Sequence, residues 1–140
     1  MTFKFFHPIE VRYGDLDPQG HVNNAKHLTY FEQARVQYLV QLGLFRKDQS
    51  FMEIGVVIAD IHIAYKSPVH YGDAVKVGVR TTKMGNKSIT VEQCVMNAGA
   101  EEVMSLGEVV MVAYDYKALK PIPVPQEWKR KISEFEGLQV

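Results

Sequence analysis

Residues 15–24 read DLDPQGHVNN, and the polar types crowded there are the ones that carbonyl chemistry uses. Two carboxylates, Asp15 and Asp17, stand two positions apart, followed by Gly20, His21, Asn23 and Asn24, and the sequence then turns into a helical pattern. The first N–H groups of a helix have no partner inside it, and the helix dipole makes that end positive. Such an end stabilises the oxyanion that develops when a carbonyl is attacked. Gly20 allows a carbonyl or an anion to come close to the backbone. A carboxylate near those donors stays ionised. In that state it acts as a nucleophile or as a general base for water. An aspartate with an oxyanion site is a sensible minimum for hydrolysing an activated acyl group such as a thioester, and a poor one for a stable amide. The chain offers no better nucleophile set: it has no G-x-S-x-G elbow, and Cys94 lies in a strand pattern with no base beside it.

Each of these residues also has a plainer role. Asp15 and Asp17 suit an Asx-type turn, the plain reading for either in a loop. Asn23 and Asn24 suit helix capping, which is compatible with catalysis at Asn24, where only the backbone N–H is invoked. His21 is equally open to loop hydrogen bonding and to a contact with the carbonyl or Asp17. His21 and His27 are six apart and form no H-E-x-x-H pattern, so no metal site is expected. Glu32, two turns into the helix, more simply flanks the apolar stripe. Lys83 and Lys87 suit solvated hairpin flanks as well as phosphate contacts, and Cys94 suits a sheet core.

The elements that must position these groups follow from periodicity. FKFFHPIEVRYGD reads as a strand, with Ile9, Val11 and Tyr13 alternating against Glu10 and Arg12. From about Ala25 to Leu42 the period changes: Leu28, Phe31, Ala34, Tyr38, Leu39 and Leu42 make one helical face, with Glu32, Gln33, Arg35 and Gln37 mostly off it. Gly43 stops this helix. Four strand patterns follow, with a hairpin at Gly85–Asn86, and a short helix of about 125–136 runs from Pro125 to the stop at Gly137. The order is strand, long helix, four strands, small helix. Short turns argue antiparallel pairing, and one helix with an apolar face must be covered by the sheet. This predicts a two-layer α+β domain, with open sheet edges that suit pairing with a second copy.

The chain of 140 residues fits one domain, 1–140, and 46% apolar content suffices for a core. Sixteen basic and sixteen acidic residues balance, leaving no electrostatic footprint for nucleic acid or anionic membrane. No apolar run approaches a membrane span, and MTFKFFHPIEVRYGD lacks the apolar region of a signal peptide. The single cysteine suits a reducing compartment, so a cytoplasmic protein is expected.

YGDLDPQGHVNNAKHLTYFEQAR resembles the signature of hotdog-fold acyl-CoA thioesterases of the 4-hydroxybenzoyl-CoA thioesterase type. YKSPVHYGD at 65–73 resembles that family's second landmark, and MGNKSITVEQ the hairpin that follows. The resemblance runs to about Tyr116 and implies a hotdog fold, with an antiparallel sheet curled around one long central helix. It implies Asp17 as the catalytic carboxylate, the backbone N–H of Asn24 as the group polarising the thioester carbonyl, and Gly20 as the residue permitting the approach. It implies Ser88, with Lys87, as contacts to coenzyme A. It also implies a homodimer or homotetramer in which Asp17 of one copy works beside Ser88 of another. The substrate is then an acyl-CoA, and no metal or redox cofactor is expected. Two departures stand out: His27 replaces a tyrosine common near the helix start, and HVNN replaces aromatic residues found in members best known for aromatic acyl groups. The alternatives are a thioesterase for acyl carrier protein, or a non-catalytic binder of acyl thioesters. A hotdog dehydratase is disfavoured because its usual histidine and acid pairing is not evident.

Overall fold

The computed structural model describes residues 2–45 and 53–139. The element order is β1 (Phe5–Ile9), α1 (Asn24–Gln41), β2 (Ile54–Tyr65), β3 (Val75–Met84), β4 (Ser88–Asn97), β5 (Glu102–Asp115), β6 (Lys120–Pro121) and α2 (Gln126–Glu136), with a single 3-10 turn at Tyr13–Asp15. The sheet is antiparallel in the order β1-β3-β4-β5-β2, with the short β6 added on β5. β2 therefore lies at one edge, and the chain crosses the sheet from Tyr65 to Val75 to place β3 beside β1 at the other. The α+β hotdog arrangement implied by the resemblance is the one the chain adopts.

α1 forms where the apolar period of three and four predicts it. The side chain of Asn23 accepts from Ala25 N at 2.9 Å, capping the start. Gly43, at φ +78°, ends the helix in the left-handed conformation. Phe31, Ala34, Tyr38 and Leu39 are buried against β1, β3 and β4, while Leu28 and Leu42 are half-buried. The ring of Phe31 sits over Gly107 of β5, where an added Cβ would stand 2.6 Å from Phe31 Cε2. Only glycine lets the helix come that close.

Two expectations are corrected. The first strand stops at Ile9 rather than running on through Tyr13. Its partner β3 begins at Val75, opposite Ile9, so the ladder has nothing further to pair with. Asp15 then folds the chain back, accepting from Arg12 N at 3.0 Å, and Tyr13 is left 81% exposed. Arg35, expected off the apolar stripe, is only 5% exposed. It lies four residues after Phe31 and four before Leu39, on the inner face, and its stem is covered by the core. Its Nη1 donates to Gln93 Oε1 at 3.1 Å, and Gln93 Nε2 donates to the carbonyl of Phe31 at 2.9 Å.

α2 begins after Pro125 and ends at Gly137 as expected. Trp128 and Ile132 are buried. Glu136 accepts from Thr81 N at 2.8 Å and from the Tyr38 hydroxyl at 2.5 Å, tying α2 to β3 and α1. Cys94 is buried in β4, as its pattern suggested. Among the described residues, no helix is long and apolar enough to cross a membrane.

Candidate active site

The DLDPQGHVNN segment folds into a small hairpin that ends at the start of α1. Leu16 bridges Val22, Asp17 N donates to the carbonyl of His21 at 2.8 Å, and Gly20 N donates to that of Asp17 at 3.0 Å. Pro18 pre-sets the turn, and Gly20 completes it at φ +84°, a conformation that disfavours any side chain. Nothing stands within 4 Å of where a Cβ at Gly20 would lie, so the space above it is open. Two bonds hold the hairpin on the body: Val22 N to the carbonyl of Val69 at 2.8 Å, and Asn23 N to that of Asp15 at 2.9 Å.

The two carboxylates divide their work. Asp15 is 1% exposed and fully engaged: Arg12 N and the Tyr30 hydroxyl both donate to Oδ2, at 3.0 and 2.7 Å, and Arg12 Nη2 lies 3.4 Å from Oδ1. Burial pushes the Asp15 carboxyl up, but these donors outweigh it and hold the group below the usual aspartate range. Asp17 is half-buried. Its Oδ1 accepts from Gln19 N at 2.9 Å and His21 N at 3.2 Å, the Asx-type turn that the sequence also allowed. Its Oδ2 has no hydrogen-bond partner among the described residues.

A recess of about 390 Å³ opens beside Asp17, lined also by His21, Asn24, His27, Tyr65 and Lys66. The helix start faces it. Ala25 N–H is used by the Asn23 side chain and Lys26 N–H by the Asn23 carbonyl, whereas Asn24 N–H has no acceptor among the described residues. Tyr65 donates to the carbonyl of Asn24 at 2.8 Å, pinning this first turn to β2. His21 contributes its backbone to Asp17, while its ring packs edge-on against His70 at a centroid distance of 5.0 Å. Asp17 and Asn24 thus line the same recess, the one with a carboxylate oxygen and the other with an N–H that no described residue uses.

Sequence reasoning passed over two of these residues. Tyr65 opens the YKSPVHYGD landmark, and the signal was the resemblance itself. His27 was weighed only as a metal ligand and as a departure from the resemblance, yet it is 2% exposed, with Nδ1 2.8 Å from Ser105 Oγ and its ring against that of Tyr65. Its position three residues into α1, on the inner face, was the available clue. Burial pulls its pKa down to about 4, so the ring is neutral near pH 7. The unfolded chain takes up a proton below about pH 6.5 and the folded protein only near 4. Stability is therefore full above 6.5 and falls as pH drops towards 4. His27→Gln, which keeps a bond to Ser105, should flatten the fall in urea midpoint between pH 7 and 4.5. An unchanged slope would assign that acid sensitivity elsewhere.

Ser88 and Lys87 lie far from this recess in the same chain. Ser88 pairs with Val112 of β5, whereas Ser105 of β5 touches His27. The seven steps along β5 from Ser105 to Val112 span roughly 23 Å of strand. Glu32 is exposed and does not line the recess at Asp17. Among the described residues no three His, Cys, Asp or Glu are grouped to hold a metal ion.

Comparison with known proteins shows the family. Residues 11–132 match the thioesterase-like superfamily. The acyl-CoA thioester hydrolase YbgC of Escherichia coli O6:H1 is 25% identical over 135 residues, covering 96% of this chain and 98% of that protein. The long-chain acyl-CoA thioesterase FadM of Escherichia coli K12 is 26% identical over 127 residues, covering 91% and 96%. A thioesterase of Thermus thermophilus, crystallised with coenzyme A and Zn, superposes with a TM-score of 0.83 at 33% identity, over 98% of both chains. A match that runs from Val11 into α2 takes in every residue lining the first recess, α1 and strands β2 to β6, and the chain belongs to the thioesterase-like superfamily.

Proposed function

We propose that this protein hydrolyses acyl-CoA thioesters to the free acid and coenzyme A. The observation that carries this reading is the pairing, in one recess, of Asp17 Oδ2 with the unused N–H of Asn24. The thioester carbonyl oxygen accepts from Asn24 N–H, which favours the charge that builds on it during attack. Asp17 is the nucleophile, forming an anhydride that water then cleaves, or the general base that takes a proton from the attacking water. Either way one water is consumed, and coenzyme A leaves as a thiolate that needs little acid assistance. Gly20 keeps the approach open, and His21 holds Asp17 through its backbone. No metal or redox cofactor enters these steps. The names of YbgC and FadM support the substrate class.

Ser88 and Lys87 take part, in this reading, from a second copy. β2 is twelve residues long and pairs only on its β5 side among the described residues, which leaves a sheet edge suited to a homodimer or homotetramer. A single buried cysteine suits the cytoplasm. The test is thiol release from a panel of short, long, branched and aromatic acyl-CoAs, run beside the same acyl groups on carrier protein. Turnover of at least one acyl-CoA is expected. Release from carrier-protein substrates alone would move the activity to those. Tight binding of acyl-CoA with no release would make the protein a binder.

A further inference from the structure

A second recess, of about 270 Å³, lies along the same side of α1, and its walls are apolar except for Glu32, Arg35 and Tyr116, whose hydroxyl is spent on the carbonyl of Val56. It lies beyond the candidate active site along the helix: from Asn24 to Arg35 the axis rises about 16 Å. The sheet connects the two. Directly paired residues of antiparallel strands share a face. Ile58, Ile61 and Tyr65 of β2 stand opposite Met111, Val109 and Ser105 of β5, whose buried side chains face α1. The three β2 residues should be covered in the same way. They are instead 39%, 37% and 42% exposed, because α1 rests chiefly on β1, β3 and β4, with Phe31 and His27 reaching β5 and the edge strand β2 left largely uncovered. Tyr65 lines the first recess and Ile58 the second, and Ile61 stands between them on the same face of β2, an exposed strip that leads from one recess towards the other.

Arg35 lines the second recess, at the far end of this strip. A guanidinium carries five N–H donors and no acceptor. Gln93 Oε1 uses one of them, and no carboxylate of a described residue lies within ion-pair distance. Burial works against the Arg35 charge and lowers its pKa, and Glu32, on the rim and exposed to solvent, offsets this only in part. A permanent cation that is 5% exposed, held from behind by a neutral amide and lining an apolar recess, is suited to an anionic oxygen presented at the end of an apolar chain.

We propose that this recess is a specificity site for the distal end of the acyl group, where Arg35 binds a terminal carboxylate. The preferred acyl chains then have roughly a dozen carbons, the length that spans the distance from Asn24 to Arg35. This rests on the reading of the first recess as the site of thioester hydrolysis.

The test compares thiol release from dodecanoyl-CoA, its ω-hydroxy form and its ω-carboxy form with release from hexanoyl-CoA and its ω-carboxy form. In the native protein the terminal carboxylate should raise kcat/KM on the order of tenfold at twelve carbons, the hydroxyl by less, and neither at six, where the chain falls short. Arg35→Met should abolish the preference and Arg35→Lys retain part of it. Calorimetry with free dodecanedioate and dodecanoate reads the same preference without catalysis. If no thioester is hydrolysed but dodecanedioate binds better, the hydrolytic reading fails and this one stands. Equal handling of plain and ω-carboxy chains by the native protein, in turnover and in calorimetry, overturns it. So does an Arg35→Met protein that changes oligomeric state and keeps the preference, which would assign Arg35 to a contact between copies.

Discussion

Asp17→Asn should cost about 10³-fold in kcat on the best acyl-CoA while leaving the protein folded and able to bind the substrate. The substitution is selective because the two carboxylate oxygens are used differently. Oδ1 accepts from the N–H groups of Gln19 and His21, and an asparagine amide oxygen can accept the same two bonds. The hairpin therefore survives, and stability should move by no more than about 1 kcal/mol. Oδ2, which faces the reaction in the proposed mechanism, becomes an amide nitrogen that can neither attack a carbonyl nor take a proton from water. Asp17→Ala removes both oxygens and would confound loss of chemistry with loss of the turn. The measurement is steady-state thiol release beside a binding titration. Near-native kcat in Asp17→Asn would remove Asp17 from the mechanism. Equal loss of binding and turnover would make it a structural residue of the hairpin. Asp15→Asn makes a useful contrast: Asp15 is buried among Arg12 and Tyr30, so its loss should appear in stability before it appears in rate.

The contrast between the two aspartates marks what could be read before the coordinates. Asp15 as structural, and Asn23 or Asn24 as a cap, follow from local rules that act within a few residues, and Asn23 proves to be the cap. The same holds for α1 itself, whose apolar spacing and terminal Gly43 are properties of the segment alone. The order of the strands followed only as far as antiparallel pairing goes. That β2 joins β5, leaving β3 beside β1, depends on contacts distant in the chain. Arg35 was misplaced for a related reason. Periodicity assigns a charged residue to solvent, and only Gln93, fifty-eight positions away, makes its burial tolerable. His27 is of the same kind, since its partner Ser105 is seventy-eight positions distant. The end of the first strand was unreadable because it is set by where β3 begins. Residues 46–52 lie outside the described residues, so the stretch between the helix stop and β2 is not compared.

The claim made for Asn24 concerns a backbone atom, and proline provides the substitution that removes it. Proline is well tolerated at the first position of a helix, where the lost N–H has no helical partner and the fixed φ suits the first turn. It also requires the preceding residue to be extended, and Asn23 already is, at φ −57° and ψ 138°. The Asn23 cap on Ala25 N and the Tyr65 bond to the Asn24 carbonyl use atoms that proline retains. Asn24→Pro should therefore keep the helix and lower kcat by about 10²- to 10³-fold, the usual cost of losing one oxyanion donor. Asn24→Ala restores the N–H without the side chain and should turn over within a few-fold of the native rate. The pair of variants separates the two ways in which this residue could matter. If both lose activity equally, the amide side chain is the working group. If proline leaves kcat intact, the carbonyl is polarised from elsewhere. The neighbouring N–H groups of Ala25 and Lys26 are already committed to Asn23, so the replacement would have to come from a side chain of the recess.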